Sequence, residues 1–467
     1  MPIANAPELA PVFPIIARFL SQDDHARCLR VCSLWYHALL PSLWSNLELQ
    51  DEEFGVLPSI HAIHHHRHLV HRLSLYYNVP PDYYVIHYPN LKVLDIHEPQ
   101  HFSPTVLAQH TSLQELLLQG DQGLQPNFWE TVCRLKHLTL LSLMNMELQQ
   151  DVMADFYKAC ESVTSLQLCS VQLASPPPKD SDLGRLNKME MEGIDGITNE
   201  DQLDWLARAT NITRLNWSSW SQHDDRTPIN TLATYAASRV WWNVQELVLH
   251  LSHASDEQIS HIIGAMVSAR VIHVTETAFG PLSFDKLQSH FATLKELNIT
   301  HCLSKPGEFI PRILASCPHL EVIAADRVLA THIMEGPPWA CAPKLKKLRM
   351  FFALSEDPLD AMQQQEDIFI RLSELGCLEY LNVSNWPGRD GFSALDFRLE
   401  KGLARLQTLK RLVEFRFYHT IQSMGIEEVE WMLYHWKRLT YMTTTLCQHH
   451  EGNDRLVSRL REGGLRS

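Results

Sequence analysis

One short hydrophobic pattern recurs along most of the chain: an apolar residue, two of any kind, a second apolar residue, one of any kind, and a third. It first reads Val70, Leu73, Leu75, and then Leu91, Leu94, Ile96. It passes through sets such as Leu113-Leu116-Leu118, Leu294-Leu297-Ile299 and Leu345-Leu348-Met350, and ends at Leu439, Met442, Thr444, fifteen sets in all. The last two positions of each set are two apart, so in a strand both point to one face. The first position lies three residues earlier and enters the same core from the preceding turn. Between sets the spacing becomes helical. Val152, Met153, Phe156 and Ala159 recur on one side of residues 151–160, as Val429, Met432 and Leu433 do within 426–434. Strand and helix therefore alternate. A single strand–helix unit cannot bury both its faces, so the units must stack.

From Val70 to Leu439 the period averages about 26 residues, inside the ~20–29 window of leucine-rich repeats. Residues 60–467 resemble that family in its irregular intracellular style, since the usual Asn after the last apolar position is mostly missing. The expected fold class is α/β, an irregular leucine-rich-repeat horseshoe of about 15 strand–helix units. Three spacings are long: Ile212 to Val244 takes 32 residues, Leu345 to Leu378 takes 33, and Leu378 to Leu412 takes 34. The extra residues include 221–226, 355–358 and 385–391, polar and turn-forming, which read as inserted loops.

The first sixty residues lack the repeat. Ile15 to Leu20, the segment carrying Ala26, Leu29 and Val31, and the segment carrying Leu34, Trp35, Ala38 and Leu39 read as three short helices. Asp23 or Asp24 is the expected cap of the second, and Pro41 the expected end of the third. Leu20, Asp24, Cys28, Val31-Cys32, Trp35, Leu39, Pro41 and Leu43-Trp44 stand in the order and spacing of the F-box motif. His25 occupies a position where that family usually carries Leu, and only Pro11 stands near its Leu-Pro opening. The chain thus resembles the F-box/leucine-rich-repeat proteins, most of all the expanded fungal members. The expected organisation is an F-box-like helical domain over 1–50 and a repeat domain with a C-terminal cap over 51–467. The resemblance implies that Pro11, Ile16, Leu20, Asp24, Cys28, Val31, Cys32, Trp35, Leu39, Pro41, Leu43 and Trp44 bind a Skp-type adaptor, itself bound to a cullin. It also implies that the repeats hold a protein substrate for ubiquitination. The competing reading is an interaction scaffold whose N-terminal helices only cap the stack.

Composition narrows the classes. Apolar residues make up 45% and charged residues 20% of 467, which excludes a mostly disordered chain. The net charge of −14 lacks the positive footprint of a nucleic-acid binder. Ten cysteines form no Cys-x-x-Cys pair; several, such as Cys28, Cys133 and Cys302, lie in apolar stretches, as buried thiols of a reducing compartment would. No run of 18 apolar residues exists and no basic segment opens the chain, so the expectation is a cytoplasmic or nuclear protein without membrane contact, a monomer within its complex.

No nucleotide fingerprint, nucleophile elbow or His-Glu-x-x-His motif is present, so no enzyme, cofactor or metal is expected. The cluster His61, His64, His65, His66, His68 and His71 reads as a solvated helix face. Period-2 geometry points the residues between the buried strand positions to the concave face. Tyr76, Asp95, Lys347, Arg349, Phe351, Tyr380, Arg416 and Tyr418 are the substrate-binding candidates there, the late cationic and aromatic group being the preferred patch.

Overall fold

A computed structural model describes residues 12–465 apart from 18, 51–56, 121–122, 126, 220–226, 253, 303–305, 386–392, 421, 444 and 448–449. Pro11 and most of the predicted loops 221–226 and 385–391 lie outside the described residues.

The chain divides into two compact units, residues 1–212 and 213–467. Seven strands run through the first: β1 (Asn46–Leu49), β2 (Arg72–Leu75), β3 (Val93–Ile96), β4 (Glu115–Gln119), β5 (Leu140–Leu148), β6 (Ser165–Leu173) and β7 (Lys188–Glu192). Each pairs in parallel with its neighbour in sequence. The second unit holds β8 (Arg214–Ser219), β9 (Glu246–Leu251), β10 (Val271–Thr275), β11 (Glu296–Ile299), β12 (Val322–Leu329), β13 (Lys347–Ala353), β14 (Tyr380–Asn382), β15 (Glu414–Arg416) and β16 (Tyr441–Met442). These too pair in parallel, in sequence order. Parallel neighbours need a crossover between them, and helices or 3₁₀ turns supply it in most repeats. The fold is an α/β stack of leucine-rich repeats.

Register places like on like. Leu73, Leu94, Leu116, Leu141, Leu166 and Met189 are successive partners in the first unit, and Leu215, Leu247, Ile272, Leu297, Ile323, Leu348, Leu381, Phe415 and Met442 in the second. All are 0–1% exposed. Burying each such side chain is worth roughly 1.5–3 kcal/mol, so the apolar rows dominate the stability of both units. Aromatic rings from the crossovers fill the space behind the strands: Trp129 lies 5.0 Å from Phe156, and Phe415 lies 5.5 Å from Trp436.

Several expectations need correction. The described strands number sixteen, because Leu47-x-Leu49 forms a strand ahead of the fifteen predicted sets. The residues at 355–358 are less a loop than a helix start. Asp357 Oδ1 accepts hydrogen bonds from the backbone N–H groups of Leu359 (2.9 Å) and Asp360 (3.2 Å), and Pro358 opens the sixteen-residue helix Pro358–Ser373. The histidine cluster does not form one helix face. Ile60–His66 is α-helical, His68 sits on the 3₁₀ turn Arg67–Leu69, and His66 packs on Trp44 with centroids 4.7 Å apart. All ten cysteines are free; Cys302 is buried, whereas Cys28 and Cys133 are half-buried.

Candidate functional site

Two surfaces emerge, one in each unit. The first is built by α1 (Phe13–Ala17), α2 (Gln22–Cys28) and α3 (Ser33–Ser45). Ser21, not Asp23 or Asp24, caps α2. Its hydroxyl accepts from the Asp24 backbone N–H at 3.2 Å and donates to the Asp24 carboxylate at 2.7 Å. That serine hydrogen bond, ahead of the opposing desolvation, holds the Asp24 carboxyl below its ordinary pKa. Pro41 does not end α3, which runs through it to Ser45. The carbonyl that its missing amide would have served belongs to His37, and both residues are exposed, so solvent serves it instead.

The three helices have an interior of their own. Phe13, Ala17 and Leu39 are buried, and Leu20, Cys28, Leu29, Leu34, Trp35 and Ala38 pack against them. Leu39, a predicted adaptor contact, is therefore interior. Leu20, Cys28 and Trp35 share that core, and Ile16 is half-buried. Leu43 and Trp44 are half-buried where α3 runs into β1, and the His71 N–H donates to the Ser45 carbonyl there at 2.9 Å. Val31 is 63% exposed and Cys32 is exposed. Sequence reasoning missed Ile15 and Phe19, which stand 57% and 84% exposed. Apolar side chains thus remain exposed on these helices although Phe13, Ala17 and Leu39 are buried within them.

The second surface is a cavity of about 300 Å³ in the second unit. Arg349, Phe351, Tyr380, Arg416 and Tyr418, five of the six late candidates, line it together. Lys347 is exposed on the row of Tyr380 and Glu414 and does not reach it. The cavity also takes Asp326, Arg327, Asn382, Ser384 and His419, none of which sequence reasoning chose. Arg349, Asn382 and Arg416 are successive register partners, so the middle residue of each strand is the signal that finds Asn382. Asp326 and Arg327 arrive differently. Ala324 pairs with Arg349 but Arg327 with Phe351, and the extra residue of this β-bulge turns both side chains to the lining.

Polar contacts fix the walls. Asn382 donates to the Tyr380 hydroxyl (3.1 Å) and accepts from the Ser384 N–H (3.0 Å), while the Ser384 hydroxyl accepts from the Tyr418 N–H (2.8 Å). The Arg416 guanidinium is bonded to Glu414 and lies 5.7 Å from the Tyr380 ring centre and 5.1 Å from that of Tyr441. Tyr418 and Tyr441 join through their hydroxyls, and this bond, followed by desolvation, raises the Tyr441 pKa. The Asp326 carboxylate accepts from the His301 N–H at 2.7 Å. Arg349 is half-buried and has no hydrogen-bond or ion-pair partner among the described residues.

In the first unit, Tyr76 and Asp95 form a different cluster. Tyr76 lies against His97 with centroids 4.5 Å apart and ring planes tilted by 41°, and Asp95 lies 3.8 Å from Arg72 and 3.7 Å from His97. The Tyr76 hydroxyl has a raised pKa through desolvation first and the charges of Glu48 and Asp95 next. Among the described residues no group of His, Cys, Asp and Glu is arranged to hold a metal, and no helix is long and apolar enough to cross a membrane.

No family model and no curated protein matches the chain. Among solved structures it is similar to a Leptospira interrogans leucine-rich-repeat protein, with 14% identity over 88% of this chain and 98% of that one and a TM-score of 0.42. It is also similar to a chain of the yeast Rad7–Elc1 complex, with 13% identity over 75% of this chain and 90% of that one and a TM-score of 0.43.

Proposed function

We propose that the chain is a substrate receptor of a cullin-type ubiquitin ligase, working in the cytoplasm or nucleus. Its N-terminal helices seat a Skp-type adaptor, and its repeats hold a protein target. It contributes no catalytic group. Its action is proximity, holding a target lysine within reach of a charged conjugating enzyme. The observation that carries this reading is the apolar face of the N-terminal helices, with Phe19 at 84% and Val31 at 63% exposure over a core already closed by Phe13 and Leu39. A helical cap has no use for such a face, whereas an adaptor groove does. Co-purification of the full-length chain with a recombinant Skp adaptor tests it. Binding by the wild type and at least tenfold weaker binding by Phe19→Asp/Val31→Asp support the receptor. Absence of binding by the wild type at micromolar concentrations leaves the scaffold reading, which the docking of α3 onto β1 and the turn at Arg67–Leu69 favours.

A further inference from the structure

The strand-borne arginines of the repeats differ in one respect. Arg72 pairs with Asp95 (3.8 Å), Arg214 with Glu246 (3.5 Å) and Arg416 with Glu414. Arg327, on β12, lines the cavity with a partner of its own, whereas Arg349 lines it half-buried and pairs with nothing among the described residues. A guanidinium partly withdrawn from water without an anion is unfavourable, and its planar fork matches a carboxylate in bidentate fashion. We propose that this cavity binds a side-chain carboxylate of an acidic segment on a partner protein, with Arg349 as the cation that receives it. The inference takes from the preceding reading only that the repeats hold a protein.

The surroundings select the ligand. Phe351, Tyr380 and Tyr418 offer aromatic surface to the aliphatic stem of the acidic residue. Charge selects a monoanion. Arg416 is already balanced by Glu414, and Asp326 and Arg327 bring opposite charges to the same wall, so one cation, Arg349, is left over to match a single negative charge. A volume of about 300 Å³ takes one or two side chains and no nucleic-acid helix. The whole chain carries −14, so general attraction cannot account for an acidic peptide bound here.

Fluorescence anisotropy on the full-length chain, without adaptor and at low ionic strength, tests this with acetylated and amidated octaglutamate. Octaglutamine, octa-phosphoserine and octaglutamine with a free C-terminal carboxylate are the comparison probes. Octaglutamate is expected to bind at least tenfold tighter than octaglutamine. Arg349→Gln should weaken it at least tenfold, Arg349→Lys three- to tenfold, and Lys158→Gln, on an exposed helix position of the first unit, less than twofold. Because the Arg349 side chain makes no hydrogen bond to the described residues, thermal unfolding of the variants should match the wild type, and Arg349→Lys serves as the measurement if the glutamine variant fails to fold. Equal binding of octaglutamate and octaglutamine, or unaltered affinity in both Arg349 variants, overturns the proposal. Tenfold tighter binding of octa-phosphoserine reassigns the site to phosphate, and tenfold tighter binding of the free-ended octaglutamine to a chain terminus; both overturn the side-chain carboxylate. Loss of adaptor binding leaves this experiment untouched, so the two readings fail separately.

Discussion

The ring of Trp35 stands edge-on to that of Phe13, centroids 5.3 Å apart and planes at 79°, tying α3 to α1. Such a pair contributes about 0.5–1.5 kcal/mol beyond the apolar area it buries. Trp35→Ala removes it and hollows a small core. Because Trp35 is only half-buried, a loss of about 2 kcal/mol is expected, below the ~3–5 typical of fully interior aromatics. Urea unfolding followed at the N-terminal helices should show the loss. Val31→Asp, on the exposed face, should leave that transition within about 0.5 kcal/mol. If both variants destabilise equally, the face is interior and not a docking surface.

Asp256 clamps one repeat to the next. Its Oδ1 accepts from the N–H groups of Gly280 (2.8 Å) and Ser283 (2.9 Å), and its Oδ2 from that of Leu282 (2.9 Å), at the start of the helix Pro281–Leu287. Partial burial pushes its carboxyl pKa up, but Ser283 and these amides outweigh it and hold the pKa below the ordinary value. A carboxyl depressed in the native state stabilises above its unfolded pKa and loses that contribution as pH falls through the native one. Asp256→Asn turns one acceptor into a donor facing an N–H, and about 1–3 kcal/mol should be lost at neutral pH. Gly280→Ala would press a Cβ to 2.7 Å from Oδ2, so it attacks the same clamp. The double variant should therefore cost less than the two single changes together, as a double-mutant cycle in urea would measure.

Buried histidine makes acid destabilising well above the carboxylate range. His110 is 2% exposed, with Nδ1 at 3.2 Å from the Tyr88 carbonyl and Nε2 without a partner among the described residues. Burial first, with His87 adding, pushes its pKa down to about 4 against the opposing effect of the Tyr88 carbonyl; burial, His250 and Arg214 do the same to His273. The unfolded chain takes up these protons near pH 6.5, whereas the native chain refuses them until about pH 4. Stability is therefore complete above that window and declines as pH falls through it, by roughly 3 kcal/mol per histidine. His110→Gln/His273→Gln should flatten the urea midpoint between about pH 6.5 and pH 4. An unchanged slope would place the proton uptake elsewhere.

The repeats were legible because each apolar set obeys one spacing. Even the set Ala269, Ile272, Val274, which opens on a small alanine, is fully buried. The first strand was hidden although Trp44, Leu47 and Leu49 fit the same spacing, because Trp44 also lies in the last turn of α3 and helix passes into strand with no linker between Ser45 and Asn46. Pro41 misled for a local reason: a missing amide breaks a helix only where nothing else serves the orphan carbonyl, and here it faces water. In the cavity, Arg349, Tyr380 and Arg416 followed from period-2 geometry. Asp326 and Arg327 did not, because the bulge between Ala324 and Arg327 inserts a residue that no hydrophobic period records. Tyr76 and Asp95 share the pattern of the late candidates but belong to a separate cluster with Arg72 and His97.

The pairing of Arg416 with Glu414 mutes one of the cations that line the cavity. Their side chains are 37% and 25% exposed, so the ion pair is worth at most about 1 kcal/mol to the fold. Its larger effect is on what the cavity can bind, since Glu414 cancels the charge that Arg416 would present beside Arg349. Glu414→Gln keeps an acceptor for the guanidinium and removes the cancelling charge, while the Tyr380 and Tyr441 rings still hold Arg416 in place. The acidic octapeptide should then bind about three- to tenfold tighter, with a steeper decline as salt is added, because exposed electrostatic attraction is what salt screens. Arg349→Gln in the same background should remove most of the gain if both cations act on one carboxylate, and leave it whole if they act on two. Unfolding by urea should differ from the wild type by no more than about 1 kcal/mol. An affinity indifferent to Glu414→Gln would mean that Arg416 serves only to hold the aromatic wall, and Arg349 would receive the carboxylate without its help.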